Sequence, residues 1–160
     1  MNAKFLRTSY FIGFLAAAIP ALSQQSPPDS AKAKQVAALV DKAAALVESK
    51  GKSAFPEFRK DGSEWRSDDT YLFVHDMKGI ALFSVGFPKL EGTDTSGLKD
   101  SDGKLITMEL IKMAQSNGSG WVEYMFPKPG QTAPSHKWSY VRAVKVDGTP
   151  AYIGAGFYSE

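Results

Sequence analysis

Between Val36 and Val47 the apolar residues Val36, Leu39, Val40, Ala43, Leu46 and Val47 fall on one stripe at helical period. Asp29 or Ser30 can cap that helix and Gly51 ends it, so a helix is predicted over 30–50. A shorter helical piece, Ser53 to Lys60, carries Phe55 and Phe58 and leaves through an Asp61-Gly62 turn. From Tyr71 the period shortens to two. Strands are predicted at 70–75 and 80–85, joined by Asp76-Met77-Lys78-Gly79 as a tight hairpin turn. Phe87 to Lys99 reads as a long irregular segment. Asp100-Ser101-Asp102-Gly103 then opens a second helix over 104–116, with Leu105, Met108, Ile111 and Met113 as its apolar residues. Asn117-Gly118-Ser119-Gly120 breaks it, and strands at 121–126, 137–145 and 150–158 follow.

Helix, two strands, loop and helix, then three strands is an α+β order. It predicts one five-stranded antiparallel sheet with the long N-terminal helix on one face, and loops plus short helices on the other. The apolar stripe of the first helix is then core, because such a sheet needs a cover.

The first residues stand apart from this pattern. Lys4 and Arg7 precede an apolar run from Tyr10 to Ile19, and Pro20-Ala21-Leu22-Ser23 offers a small-x-small cleavage pattern. The expectation is a signal peptide at 1–23, a flexible lead-in at 24–29, and one domain at 30–160 of an exported, periplasmic or secreted protein. Without residues 1–23 the chain has 17 basic and 17 acidic residues, which gives no electrostatic footprint for nucleic acid or an anionic membrane. The chain has no Cys, so disulfide staples, thiolate metal ligands and a cysteine nucleophile are excluded. No membrane insertion is expected after signal cleavage.

The ordered motifs resemble a known family. They are Tyr71, Phe73, Val74, Asp76 and Gly79, then Pro88, Leu90 and Gly92, then Asp100, Asp102 and Gly103. Gly118, Gly120, Val122, Glu123 and Tyr124 follow, with Pro127-Lys128-Pro129-Gly130, Lys137, Ser139-Tyr140-Val141, Ile153-Gly154, Gly156 and Tyr158. The set resembles the type-2 single Cache domain, a PAS-like extracytoplasmic sensor fold. The resemblance implies a small-molecule-binding module of the kind found in chemoreceptors and sensor kinases, binding small organic acids. The sequence departs from the pattern at His75, where an aromatic such as Tyr is usual, and at Phe83-Ser84, which replaces a small residue and His. It also shows no membrane helices or cytoplasmic output after the domain, so the expectation is a stand-alone sensor module without its own signalling output.

A carboxylate ligand needs a cation or several N–H and O–H donors inside a dry, aromatic-walled cleft. Tyr71, Phe73, Tyr124, Phe126, Lys137, Ser139 and Tyr140 are the candidate ligand-binding residues, with Lys137 and Tyr124 favoured by the resemblance. Strand parity puts Lys137 and Ser139 on one face and Trp138, Tyr140 and Arg142 on the other, so all share a pocket only through a bulge or strand end. Plain core packing stays open for each aromatic, a solvated strand end for Lys137, and a structural role for His75. Leu98 to Glu109 approaches a calcium-loop pattern, but Leu98 occupies the first ligand position, and a turn with a helix cap explains the segment better. There is no G-x-S-x-G elbow, no H-E-x-x-H and no phosphate loop, so no enzyme, cofactor or metal is expected. The partners expected are a small anionic metabolite and a membrane receptor or kinase that reads the change when the 87–99 and 127–136 loops order. The alternative is a regulatory or protein-interaction subunit that binds no small ligand, its pocket filled by Phe73, Phe126 and Tyr140.

Overall fold

The computed structural model describes residue 27, residues 30–67 and residues 69–159. The expected signal peptide and most of the lead-in lie outside the described residues. Helix α1 runs Ala31–Lys50; the Ser30 Oγ accepts from the Ala33 N–H at 3.1 Å, satisfying one donor of its first turn. Gly51 closes it at φ 59, with the Asp147 carboxylate where a side chain would stand. Helix α2 covers Phe55–Arg59, β1 Leu72–Asp76, β2 Ala81–Ser84, α3 Ile106–Asn117, β3 Ser119–Pro127, β4 Pro134–Val146 and β5 Thr149–Tyr158. The five strands form one sheet in the order β2-β1-β5-β4-β3, and every pair is antiparallel. Asp147 (φ 48) and Gly148 (φ 83) make the two-residue β4–β5 turn, in which both central residues need positive φ.

One face of the sheet is packed by α1. Val36, Val40, Ala43 and Val47 are fully buried among Trp138, Val144, Val146, Ile153, Ala155 and Phe157, as the stripe predicts. Arg142 reaches Asp41 of α1 at 2.8 Å from the same face. The short α2 belongs here too, and not on the opposite face as expected. Phe55 stacks on Phe83 at 4.6 Å, and Phe58 meets Phe83 and Trp65 edge-on, which puts the aromatic side of β2 under α2.

The opposite face is covered by α3 and the segment from Phe87 to Leu98. That segment is already tied down along β2: Ala81 N donates to Thr93 O, Gly92 N to Ala81 O and Thr95 N to Gly79 O. It is therefore not the free loop the sequence suggests. Strands β3 and β4 likewise pair out to Pro127 and Pro134, which shortens the expected 127–136 loop to 128–133. Helix α3 starts two residues later than predicted, and Leu105 at its N-cap makes no side-chain cap. The reason lies in Asp100, whose Oδ1 accepts from the N–H groups of Asp102 and Lys104 and whose Oδ2 accepts from Met125 of β3. That carboxylate knots the approach to the sheet and leaves no acceptor for the helix. The inward residues of α3 are consequently Ile106, Thr107, Leu110, Ile111 and Ala114, while Leu105 and Met108, two of the apolar residues named for this helix, are exposed.

Candidate ligand-binding site

Strand alternation builds the site. On the α3 side of the sheet β1 presents Tyr71 and Phe73 beside and within it, β3 presents Val122 and Tyr124, and β4 presents Lys137, Ser139 and Val141. No bulge interrupts β4 between 137 and 141, so Tyr140 stays on the α1 side, 5.2 Å from Trp121, and does not enter the cavity. This corrects its place among the candidate residues.

In register, Lys137 lies between Tyr124 of β3 and Tyr158 of β5. The next inward position of β5 is Gly156, where a Cβ would sit 2.4 Å from the Trp138 carbonyl, 2.5 Å from Ser139 Oγ and 2.9 Å from Lys137 Cε. Gly154 plays the same part beneath Phe73, at 2.7 Å from its ring. Central strand β5 thus supplies a floor without side chains, and the Lys137 stem lies along it. The result is a lysine only 1% exposed, not a solvated strand end.

The ammonium is enclosed by rings. Nζ stands 4.1 Å from the centre of Tyr71, 5.1 Å from Tyr158, 5.5 Å from Phe126, 5.6 Å from Phe73 and 6.0 Å from Tyr124. It donates to the Tyr71 phenol at 2.6 Å. Tyr71 Oη lies 3.4 Å from Tyr158 Oη, and Tyr158 donates to the Pro127 carbonyl at 2.7 Å. Tyr124 and Ser139 share a hydrogen bond of 2.8 Å. Burial pulls the Lys137 amine down from its ordinary 10.5 to about 7, only partly opposed by the charge of Asp69, which pairs with Lys32 instead. Burial also raises the phenols of Tyr71 and Tyr124, so both stay protonated, and holds Tyr158 up at about 12. Among the described residues no carboxylate reaches ion-pair distance of Lys137.

A cavity of about 40 Å³ opens at this point. Its sheet side is Tyr71, Phe73, His75, Tyr124, Phe126 and Lys137; Ser84, Phe87 and Leu90 form one wall, and Leu98, Ile106, Thr107 and Leu110 the roof. The structure therefore gathers five of the seven candidate residues around one cavity, with Ser139 behind Tyr124 and Tyr140 outside. Sequence reading passed over Tyr158, which the β4–β5 register places directly opposite Lys137, and the roof from α3, whose phase was misjudged. It also left His75 as a structural residue, whereas its imidazole lines the cavity.

Among the described residues no helix is long and apolar enough to cross a membrane. A sequence model of the Single Cache domain 2 family matches residues 21–160. The methyl-accepting chemotaxis protein McpP of Pseudomonas putida is 33% identical over 90 residues, which are 56% of this chain and 16% of that protein. The chain thus spans a small part of that relative's length. A solved periplasmic sensor domain of a chemotaxis protein is 30% identical, with a TM-score of 0.65, covering 81% of this chain and 95% of its own. A Cache chemosensory domain solved for its recognition of carboxylic acids is 29% identical at a TM-score of 0.69, with the same coverage. With the five-stranded sheet and its long N-terminal helix, these matches place the chain in the single Cache domain 2 family, whose sensor domains are non-catalytic ligand-binding modules.

Proposed function

We propose that this domain is the periplasmic ligand-recognition unit of a sensor, and that its cavity binds a short carboxylate whose charge is neutralised by Lys137. The observation that carries the reading is the lysine itself: 1% exposed, ringed by five aromatics, hydrogen-bonded to a neutral phenol and, among the described residues, without a carboxylate partner. Burying an unpaired ammonium costs several kcal/mol, and an arriving anion offsets that cost. The solved Cache domain that recognises carboxylic acids supports the same ligand class. A cavity of about 40 Å³ suits a short-chain acid. Phe73, Phe87, Phe126, Ile106 and Leu110 offer its hydrocarbon end an apolar surround. Occupancy would be read by a membrane receptor or kinase.

Thermal-shift measurements with acetate, propionate and butyrate, against methylamine and ethylamine, test this. At a hundredfold over the dissociation constant an acid should add about 2.7 kcal/mol and raise the melting temperature by several degrees. Lys137→Met should abolish that shift. Acids that leave the wild-type melt unmoved, or shift the variant equally, would remove the basis for the proposal.

A further inference from the structure

We propose that the cavity has a second recognition pole, His75 backed by Tyr152, which selects short carboxylates bearing a neutral hydroxyl or carbonyl group at the end remote from the carboxylate. The inference rests on the carboxylate reading of Lys137 and adds what the rest of the ligand must be.

Among the described residues, three buried side-chain polar atoms have no hydrogen-bond partner: Ser63 Oγ, His75 Nδ1 and Tyr152 Oη. Two of the three are neighbours at one place. His75 on β1 faces Tyr152 on β5 in register, and their rings stack at 5.4 Å with an interplanar angle of 14°. Stacked faces put the polar atoms at separate ring edges, so neither group can satisfy the other. Leaving a buried donor or acceptor unmade costs about 1–3 kcal/mol, and native cores rarely keep two such groups side by side.

The pair is coupled to the site by position. His75 lies two residues beyond Phe73 on the same face of β1, is 9% exposed, and lines the same cavity as Lys137. Phe73 stands between the two polar ends: its ring centre is 5.6 Å from the ammonium and 5.9 Å from the imidazole. Nδ1 and the Tyr152 hydroxyl are themselves sealed, so a ligand lying over Phe73 meets a cation at one end and, at the other, the remaining accessible edge of the imidazole that lines the cavity. The nearby hydroxyls are already engaged. Thr107 donates to Thr95, which donates to the Gly79 carbonyl, and Ser84 accepts from the Phe87 N–H.

The far group should be neutral. Lys137 is the cation among the cavity's lining residues, and burial holds His75 uncharged, down to about 4 with only partial opposition from Asp76. A neutral imidazole offers one donor and one acceptor, and a hydroxyl can answer either.

Calorimetric titration of the protein with butyrate, 4-hydroxybutyrate and succinate tests the proposal. The wild type should bind 4-hydroxybutyrate about fivefold more tightly than butyrate, the worth of one added hydrogen bond, and succinate more weakly than either. His75→Phe keeps the aromatic stack and should bring the two monoacids within about twofold of each other. If that variant does not fold, His75→Leu carries the same comparison. Equal affinity for the two monoacids in the wild type, tightest binding of succinate, or a preference that survives in the folded variant would each overturn the second pole while leaving the carboxylate site standing. Binding of none of the three acids would overturn the carboxylate reading, and this inference with it.

Discussion

Replacing Lys137 by Met should make the ligand-free protein more stable. The substitution keeps the length of the unbranched stem along the Gly156 floor and removes the charge. Burial lowers the amine from 10.5 to about 7 in the folded state. At about 1.36 kcal/mol per unit, holding the charged form inside the fold costs up to about 5 kcal/mol relative to a neutral amine. The bond to the Tyr71 phenol and the aromatic contacts are lost in the exchange, which returns about 1–3 kcal/mol. The expected net gain is about 2–4 kcal/mol, or roughly 10 °C in melting temperature for a domain of this size. Its pH dependence has a definite sign. The unfolded chain holds the lysine proton more tightly than the folded one, so the penalty is complete below about pH 7 and fades as the folded amine deprotonates between about 7 and 10.5. Scanning calorimetry of wild type and variant in carboxylate-free buffer, from pH 6 to about pH 10, should show a wide gap that closes as the pH rises. A variant less stable than wild type at pH 6, or a gap indifferent to pH, would refute the account of an unpaired buried cation.

Two further expectations concern the frame of the site. Gly156→Ala places a methyl group 2.4 Å from the Trp138 carbonyl in the middle of the sheet, and should cost about 2–3 kcal/mol in urea unfolding. An unchanged midpoint would show that the floor has room to spare. Asp100→Ala strips an acceptor from three backbone N–H groups and should cost about 2–3 kcal/mol, with faster amide exchange at Lys104 and Met125. Unaltered exchange at those two amides would assign the knot to other contacts.

What the sequence made legible is what local period encodes. The α1 stripe and the alternation of β4 depend on residues within a few positions of each other, and both survive in the structure. Parity alone separated Lys137 from Tyr140, and the uninterrupted strand keeps them on opposite faces. The burial of Lys137 was not legible, because it depends on Gly156 across one strand boundary and on Tyr71 two strands away. The phase of α3 was misjudged for a related reason. Asp100 looks like a cap by spacing, and only the position of β3 reveals that its carboxylate is spent on Met125. The orphaned imidazole of His75 is likewise a property of what surrounds it, which no pattern along β1 displays.

The hydrogen bonds that leave the cavity run in one direction. Tyr158 commits its single proton to the Pro127 carbonyl, so Tyr71 must give its own proton to Tyr158, and Lys137 gives one to Tyr71. The order of donors is forced at every link. Such a series polarises along its length, each bond strengthening or weakening the next. A ligand that draws the ammonium protons toward itself weakens the first link and loosens the grip on a carbonyl at the far end of β3. Occupancy of the cavity by the proposed ligand would therefore be written, as a polarity, at the turn end of the β3–β4 hairpin beside the end of the last strand.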